Sequence, residues 1–389
     1  MNVYATQLTL RSYAARVKAE FLRSFAADLR NVGLRASARA VGHRFYFSAT
    51  ELPTEPRALL RLAMRLQRSQ IPDTEHFAEG IRAKYGETLL RPTPVENVDE
   101  IHPVLHLCSE DEAFRLFTYC RISQGVPNAP LIGRRMAWLV FDGDNSDRRL
   151  IGAFGLNSSP YTLGPRDVLL HWVGAAGEGR KKIGLRCIMD MPLCVALPPY
   201  SNLLGGKLVA ALALTREVSS AFTGRYARNS PRGAGLLGVF TLCATGLHCP
   251  IFNRIMLKPG GLYQRIGVTA GFSTAFISDA TLALARGVVN RAGHGPRKRL
   301  FAKSMRIVKR AFELCHLPGA QLLRMGVRKG VYMGVADLRA IEMLRISQFG
   351  AVGRPTVEDV VRYWRELVQR RLNKARPQVQ TGQLTGVVS

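Results

Sequence analysis

A polar turn with two adjacent glycines has the residue types of a phosphate-binding site. It follows an apolar run that stops at two prolines, and apolar residues at helical spacing come after it. A strand that turns into a helix in this way exposes backbone N–H groups at the positive end of the helix dipole, where anions bind. The residues that we expect to hold a phosphate or pyrophosphate are Asn202, Gly205, Gly206 and Lys207. Close helix–sheet packing explains the small residues equally well, and the spacing is not that of a Walker A motif.

Carboxylates lie on or beside the strands predicted around this turn. The candidates for catalysis are Asp142, Asp167 and Asp190. Acidic groups on neighbouring strands can hold Mg²⁺ for phosphodiester chemistry, and Asp167 is the position at which we expect such an ion. Structural roles are the alternative. Asp142 precedes Gly143, which is typical of a hairpin turn, and Asp167 follows Arg166 directly, which is typical of a salt-bridged strand end.

Basic residues form the third group of candidates. The formal net charge is +27, and positions 280–389 hold 21 Lys and Arg residues against 6 Asp and Glu residues. Solubility does not require so large a field of one sign, so nucleic acid, and DNA in particular, is the expected partner, ahead of an acidic membrane surface. An Arg-rich solvated surface is the alternative. The residues that we expect to contact nucleic acid are Arg166, Arg254, Arg265, Arg297, Lys298, Arg299, Arg328, Lys329 and Arg365.

The periodicity of apolar residues divides the chain into modules. Residues 1–125 and 281–376 show helical spacing with many basic residues, whereas residues 126–280 alternate like strands. The tail, residues 377–389, is polar and is expected to be disordered. The sequence therefore predicts an α/β (α+β) fold in which a central mixed β-sheet lies between basic helical extensions.

Individual elements follow from the same periodicity. Helices are predicted at Leu8–Arg30, Pro56–Gln70 and Leu203–Ala213, and strands at Met136–Phe141, Leu150–Leu156, Val168–Val173, Leu185–Leu197 and Leu236–Ala244. The first two of these strands flank a hairpin turn at 142–145. Near the C terminus, Thr356 and Asp359 have the spacing of a short capping box before a final helix.

Several sequence blocks resemble the Druantia protein A (DruA) family. The segment PPYSN followed by LLGGKLVAALALTREV carries most of the resemblance. Further blocks occur in the family's order, namely 133–135, 150–152, 157–167, 253–254, 265–272, 326–332 and 363–365. The resemblance implies an association with anti-phage defence islands and mobile elements, with other defence-system or mobile-element proteins as partners. It also implies a link to transposase-like domains, to which family members occur fused.

A second resemblance concerns the turn alone. Phosphate-binding turns of GNAT acyltransferases also follow a central strand, which implies a GNAT-like core with acyl-CoA bound at Asn202, Gly205 and Gly206.

Cysteine usage and the N terminus indicate the compartment. The chain has 7 cysteines without a CxxC pair, as is typical of reduced intracellular proteins. Charged residues recur through the first 28 positions, so no signal peptide is predicted. We expect a cytoplasmic protein without a membrane partner.

Three functions agree with these patterns. The first is a DNA-engaging component of anti-phage defence or mobile elements that binds through basic helices. The second is a metal-dependent DNA-processing enzyme of the transposase or nuclease type, with Mg²⁺ at Asp167. The third is a GNAT-like acyltransferase with acyl-CoA as its cofactor.

Overall fold

A computed structural model of the protein describes most of the chain. The described residues are 3–50, 58, 61, 75–91, 95, 97–123, 131–144, 147–231, 233–243, 248–258, 260–270, 277–292, 304–322 and 328–380. They fall into two compact units, each formed by several stretches of sequence. The smaller unit is drawn from residues 1–72, 244–248 and 269–329, and the larger unit from residues 73–243, 249–268 and 330–389.

The strands and helices are numbered in chain order. The strands are β1 Val3–Thr9, β2 Ala36–Val41, β3 Arg44–Thr50, β4 Pro103–Leu107, β5 Arg135–Asp142, β6 Arg149–Ser158, β7 Ile188–Ala196, β8 Gly238–Leu242, β9 Met256–Leu257, β10 Gly261–Val268 and β11 Gly330–Val335. The helices are α1 Tyr13–Asn31, α2 Glu75–Tyr85, α3 Asp111–Ser123, α4 Gly164–Leu169, α5 Gly174–Gly184, α6 Gly205–Leu212, α7 Arg216–Tyr226, α8 Asp279–Arg291, α9 Ser304–Leu314, α10 Gly319–Leu322, α11 Arg339–Ile346 and α12 Val357–Gln380.

The smaller unit packs helices on one face of a three-stranded antiparallel sheet. The strand order is β1-β3-β2. Phe45 and Phe47 point from β3 into a core that also contains Phe21, Phe25 and Phe312 from the helices. The ring centroids of Phe25 and Phe312 lie 4.6 Å apart in an edge-on contact, a geometry that aromatic pairs favour. This core leaves the opposite face of the sheet without a covering helix in the described residues of the unit.

The larger unit is built on an eight-stranded mixed sheet. The strand order is β4-β5-β6-β7-β8-β11-β10-β9, and neighbouring strands are antiparallel except for the parallel pair β7 and β8. Both faces are covered. Met136, Trp138 and Val140 of β5 belong to the core that includes α6, α7 and α12, whereas Leu139 and Phe141 belong to the core of α2 and α3. Alternation along one strand thus supplies two cores.

The third core of the larger unit surrounds Trp172. It joins α4 and α11 to the sheet strands β8 and β11, and Gly177 and Gly184 of α5 lie close to Trp172. The Trp172 ring is 2% exposed, and its Nε1–H donates to the carbonyl oxygen of Leu344 at 3.0 Å. The polar edge of the ring is therefore satisfied inside an otherwise apolar cluster.

The structure confirms the predicted α/β class with a central mixed sheet. The expected helices appear as α1 and α6, and the expected strands around the hairpin appear as the antiparallel pair β5 and β6. The capping box is also present, because the N–H of Asp359 donates to Thr356 Oγ1 at 3.2 Å and the N–H of Thr356 donates to Asp359 Oδ2 at 3.0 Å. The helix predicted at Pro56–Gln70 lies almost entirely outside the described residues.

The strand predicted at Val168–Val173 is wrong. These residues end α4 and form the turn before α5. Asp167 accepts the N–H of Leu163 at 3.2 Å at the start of α4, and His171 has a left-handed φ of 55° that reverses the chain. The apolar run is therefore an amphipathic turn of helix and not a strand.

Further strands were not predicted. The smaller unit contains β1, β2 and β3 within the module predicted to be helical, and β11 lies within the module predicted to be helical at the C-terminal end. The linear modules 1–125, 126–280 and 281–376 differ in their bounds from the two discontinuous units. α12 extends through Gln380, and residues 381–389 of the predicted tail lie outside the described residues.

Two glycines of α5 provide a test of the packing around Trp172. A Cβ at Gly177 would lie 2.5 Å from the backbone carbon of Trp172, whereas a Cβ at Gly179 meets no atom within 4 Å. Gly179→Ala should stabilise the protein by about 0.5–1 kcal/mol, because alanine favours a helix. Gly177→Ala should instead destabilise it by about 1–3 kcal/mol, because backbone must move. Melting temperatures measured by calorimetry check this, and equal shifts for the two variants would contradict the packing.

Candidate functional site

The glycine turn lies between β7 and α6 of the larger unit. A short 3-10 turn, Tyr200–Leu203, precedes Leu204, which adopts a left-handed φ of 58°. The N–H groups of Gly205 and Gly206 donate to no acceptor in the described residues. A Cβ at Gly205 would lie 2.5 Å from the carbonyl oxygen of Tyr200, so glycine is required there by close packing. Asn202 is exposed on the same turn.

Lys207 connects the first turn of α6 to the segment after β8. Its Nζ donates to the carbonyl oxygens of Ile251, at 3.4 Å, and of Asn253. Burial lowers the pKa of Lys207, and the nearby charge of Arg254 lowers it further. Two of the three ammonium protons thus serve an internal contact.

A cavity opens at the carboxyl end of β7. The parallel pairing of β7 with β8 extends only from Ile188 to Asp190 on the β7 side. Beyond it, a cavity of about 420 Å³ is lined by Val195, Leu197, Pro198, Gly206, Lys207 and Ile251 among others. Ligands of sheets with parallel strands bind outside the carboxyl ends of such strands. The two unpaired N–H groups and this cavity together form a candidate anion site.

Asp167 is part of a buried ion network. Its Oδ1 accepts hydrogen bonds from Nε and Nη2 of Arg166 at 2.8 and 2.6 Å, and its Oδ2 accepts from Lys181 Nζ at 2.9 Å. The three residues are 3%, 0% and 6% exposed respectively. A carboxylate paired with two cations in this way stabilises a buried cluster, and breaking such a cluster is costly.

Arg166 is expected from the sequence to contact nucleic acid, but its side chain is buried. All five of its N–H donors are used inside the protein, because Nη1 also donates to Ser159 Oγ and the Pro160 carbonyl and Nη2 donates to the Tyr161 carbonyl. With no exposed surface, its guanidinium is a structural centre that organises the segment before α4.

Asp190 joins the same network through Ser159. Ser159 Oγ donates to Asp190 Oδ1 at 2.6 Å and accepts from Arg166 Nη1 at 2.7 Å. Burial raises the pKa of Asp190 to about 6, against the opposing effects of the Ser159 hydrogen bond and the Arg166 charge. The structure therefore brings Asp167 and Asp190 together around one arginine.

Asp142 lies at the other end of the sheet. Its Oδ2 accepts the Tyr200 hydroxyl at 2.6 Å, and its Oδ1 accepts the N–H of His102 at 2.8 Å. Burial and the Asp142 carboxylate raise the pKa of Tyr200. Asp142 pairs with Arg149 of β6, and Asp190 pairs with Asn157 of β6. Arg149 and Asn157 lie near opposite ends of β6, so Asp142 and Asp190 are about 26 Å apart along the strand direction.

Asp142 thus lies apart from the pair formed by Asp167 and Asp190, and the ligand atoms of Asp167 are occupied by Arg166 and Lys181. Within the described residues, no group of three or more His, Cys, Asp or Glu side chains is placed to hold a metal ion.

A basic groove lies between the edge strand β9 and helix α12. It has a volume of about 730 Å³, and we define it by its lining residues, which are Arg254, Met256, Lys258, Asp359, Arg362, Tyr363, Glu366, Leu367, Arg370 and Arg371. The Tyr363 hydroxyl accepts the N–H of Met256 at 3.0 Å and donates to the Arg254 carbonyl at 2.9 Å. These two bonds fix the strand segment against the helix.

The basic groove carries unbalanced positive charge. Arg362 pairs with Asp359 at 3.5 Å, and Arg370 pairs with Glu366 at 3.2 Å. Arg254, Lys258 and Arg371 have no carboxylate within salt-bridge distance in the described part of the chain. Met256 is 71% exposed beside them, so the groove offers both cations and an apolar contact.

The remaining predicted cations are distributed elsewhere. Arg365 anchors α12, since its Nη2 donates to the carbonyls of Asp99 and Ile101 at 2.6 and 2.9 Å. Arg265 is half-buried on β10, opposite Tyr332. Arg328 and Lys329 belong to the smaller unit, where the exposed Arg328 donates to the Thr269 carbonyl at 2.8 Å. Arg297, Lys298 and Arg299 lie outside the described residues.

Lys258 and Met256 have no signal in the sequence that marks them as part of a site. Strand β9 has only two residues, which is too short for a periodicity to show. Arg370 and Arg371 had a visible signal, because helical spacing places them off the apolar face of the last helix. Only the fold shows that these residues line one groove.

Comparison with known proteins identifies a family. The family model described as "Druantia protein DruA" matches residues 62–289, which is more than half of the chain. A protein named "Druantia protein DruA" from Escherichia coli (strain UMEA 4076-1) is 28% identical over 267 residues, covering 64% of this chain and 63% of that protein. No solved structure matches the chain. In the described residues, no helix is both long enough and apolar enough to cross a membrane.

The raised pKa of Asp190 predicts how stability depends on pH. The folded protein holds the Asp190 proton more tightly than the unfolded chain, so this contribution is complete below about pH 4 and is lost as the pH rises through 6. Asparagine does not ionise, so Asp190→Asn removes this loss of stability at higher pH. The variant should gain about 1–3 kcal/mol of unfolding free energy over the wild type between pH 4 and pH 7.

Chemical denaturation at pH 4, 5, 6 and 7 measures this difference. Asp144→Asn, the same charge change at an exposed position of the hairpin, is the control and should give a nearly constant difference. A pH-independent difference for Asp190→Asn would contradict the assignment of the raised pKa.

Proposed function

The chain belongs to the Druantia protein DruA family, and on that premise we propose that it is a nucleic-acid-engaging component of an anti-phage defence or mobile-element system. DNA is the expected nucleic acid. The expected partners include other proteins of the same system, and the expected location is the cytoplasm. The large positive charge of the chain, +27, supports a polyanion as the molecule that it binds.

The observation that carries this proposal is the unpaired charge of the basic groove. Arg254, Lys258 and Arg371 are exposed and lack carboxylate partners, as described above. Lys and Arg that neutralise phosphates release condensed counterions, which is the main source of affinity for nucleic acid without sequence preference. An exposed cation without a carboxylate partner in the unbound protein is available to pair with a phosphate.

The length of the groove suits a short stretch of backbone. Arg362 and Arg371 are nine residues apart on α12, so they span about 13 Å along the helix axis. One DNA strand carries about four phosphates over that distance. The exposed Met256 side chain offers an apolar contact for a sugar or a base between the cations.

A second candidate function is supported by the glycine turn. The unpaired N–H groups of Gly205 and Gly206 and the cavity at the end of β7 are suited to a pyrophosphate, as in the GNAT-like alternative with acyl-CoA. In that case the backbone, and not Lys207, supplies the contacts, because Lys207 donates to Ile251 and Asn253. The metal-dependent alternative has no comparable support, since Asp142 lies apart from Asp190 and the Asp167 carboxylate is bound by Arg166 and Lys181.

The double variant Lys258→Gln/Arg371→Gln tests the groove. It should weaken DNA binding, and the slope of log K against log salt should fall by about 0.9 for each cation that contacts a phosphate. Fluorescence anisotropy with a labelled duplex at several salt concentrations measures both effects. Arg225→Gln/Arg228→Gln, an equal charge change at exposed positions of the α7 end, is the matched control. Equal losses in the two double variants would assign the effect to net charge and reject the groove.

Thermal stabilisation by CoA tests the second candidate. Acetyl-CoA should raise the Tm if the turn binds a pyrophosphate, since ligand that binds only the folded state stabilises it. Gly206→Asp should abolish the shift by placing a carboxylate beside the N–H groups. Pantetheine without the phosphates should give no shift. The absence of any shift with CoA and its esters would end this candidate.

A further inference from the structure

The three-stranded sheet of the smaller unit has one face that no helix covers in the part of the unit that the structure describes. Burial alternates along β3, where Phe45, Phe47 and Ala49 point into the core and Tyr46 and Ser48 point away from it. Strand register places Gln7 and Arg39 on either side of Tyr46. This outer face lies outside residues 62–289, so the family match does not assign it a role.

On the outer face, the three described strands carry cations and an aromatic ring and no acidic residue. Arg39 and Arg44 project from β2 and β3, and none of the three strands contains Asp or Glu. The two acidic residues among the first 50, Glu20 and Asp28, lie on α1. Asp28 is buried and accepts hydrogen bonds from Ser278. The charge of this face is therefore complementary to an anion.

A depression lies beside the Tyr46 ring. It has a volume of about 420 Å³, and its lining residues include Ala5, Gln7, Ser37, Arg39, Tyr46 and Ser48. Ala5, Ser37 and Ser48 form one row across the three strands, next to the row that contains Tyr46. Side chains in neighbouring rows lie close together on a sheet, so three small side chains leave open space along one side of a larger ring.

We propose that this outer face binds single-stranded nucleic acid, with one base stacked on Tyr46 and the adjoining phosphates held by Arg39 and Arg44. Aromatic rings in a cationic groove are the usual platform for unpaired bases. Gln7, Ser37 and Ser48 offer donors and acceptors to the base edge.

The choice of a single strand over a duplex follows from the position of the ring. Tyr46 is on the central strand, flanked on both sides, and it borders a depression. A duplex hides the faces of its bases, and its major groove accepts a protruding element. An unpaired base can lie flat on the sheet and reach the ring.

The inference extends the proposed engagement of nucleic acid to a second surface, and it does not require the basic groove. The full chain is titrated with a labelled 20-nucleotide oligo-dT and with a duplex of mixed sequence, each by fluorescence anisotropy. Tyr46→Ala should weaken oligo-dT binding by about 5- to 150-fold, since stacking on one aromatic contributes that much. Tyr46→Phe keeps the ring and should retain the wild-type affinity, and duplex binding should not change in either variant.

Arg39→Gln provides a second variant that leaves the core untouched. It should reduce the salt dependence of oligo-dT binding by about 0.7 in slope, the value for one phosphate contact of a single strand. Melting temperatures confirm that each variant is folded. All titrations are repeated in the Lys258→Gln/Arg371→Gln background, so that binding at the basic groove does not mask the sheet. In addition, an iodouracil-containing oligonucleotide should cross-link to Tyr46 under ultraviolet light.

The outcomes separate the two proposals. Unchanged oligo-dT affinity in Tyr46→Ala and Arg39→Gln in both backgrounds, without a cross-link at Tyr46, overturns the sheet site. Equal losses for oligo-dT and duplex overturn its assignment to single strands. If the groove variants alone lose binding, the groove proposal stands and the sheet site fails. If the sheet variants alone lose binding, the sheet site stands and the groove fails.

Discussion

A guanidinium inside a protein is costly unless its N–H groups find acceptors, and in the larger unit several buried or half-buried arginines direct their terminal Nη groups at such acceptors. Arg166 uses all five donors between β6 and α4. Arg134 donates to the carbonyls of Leu185, Arg186 and Ile188 before and at the start of β7. Arg354 donates to carbonyls at 234 and 236, ahead of β8. In each case one side chain donates to several backbone carbonyls at or just beyond the end of a strand.

This requirement divides the positive charge of the chain into two classes. An arginine committed to carbonyls contributes to folding and is not free to bind a phosphate, whereas an exposed cation without a carboxylate has no internal partner. Arg365 and Arg371 illustrate the difference on one helix. They are six residues apart and therefore point to different sides of α12, one toward Asp99 and Ile101 and the other into the basic groove. Net charge alone overstates the surface that a polyanion can use.

The sequence patterns predicted elements that have one dominant period or a specific cap. α1 has a strong apolar stripe, β5 and β6 are joined by a turn rich in Asp and Gly, and α12 begins at a capping box. Other elements lack such a signal. β11 is a short run buried at every position, which periodicity cannot distinguish from a buried helix, and β2 has mostly exposed positions with small residues. Which carboxylates lie together depends on strand register, and periodicity alone does not show that Asp142 and Asp190 lie at opposite ends of β6.

The glycine turn shows why composition cannot separate a packing site from a binding site. At Gly205 the obstacle to a side chain is the backbone carbonyl of Tyr200, which is rigid, so packing alone requires glycine. At Gly206 the nearest atoms, 3.2 and 3.4 Å from an added Cβ, are Cγ1 and Cδ1 of the Ile251 side chain, so the packing there is tight against a side chain and not against backbone. Lys207, the residue that made the turn look like a phosphate loop, binds internal carbonyls. Any anion bound there must therefore be held by the two glycine N–H groups and the helix dipole.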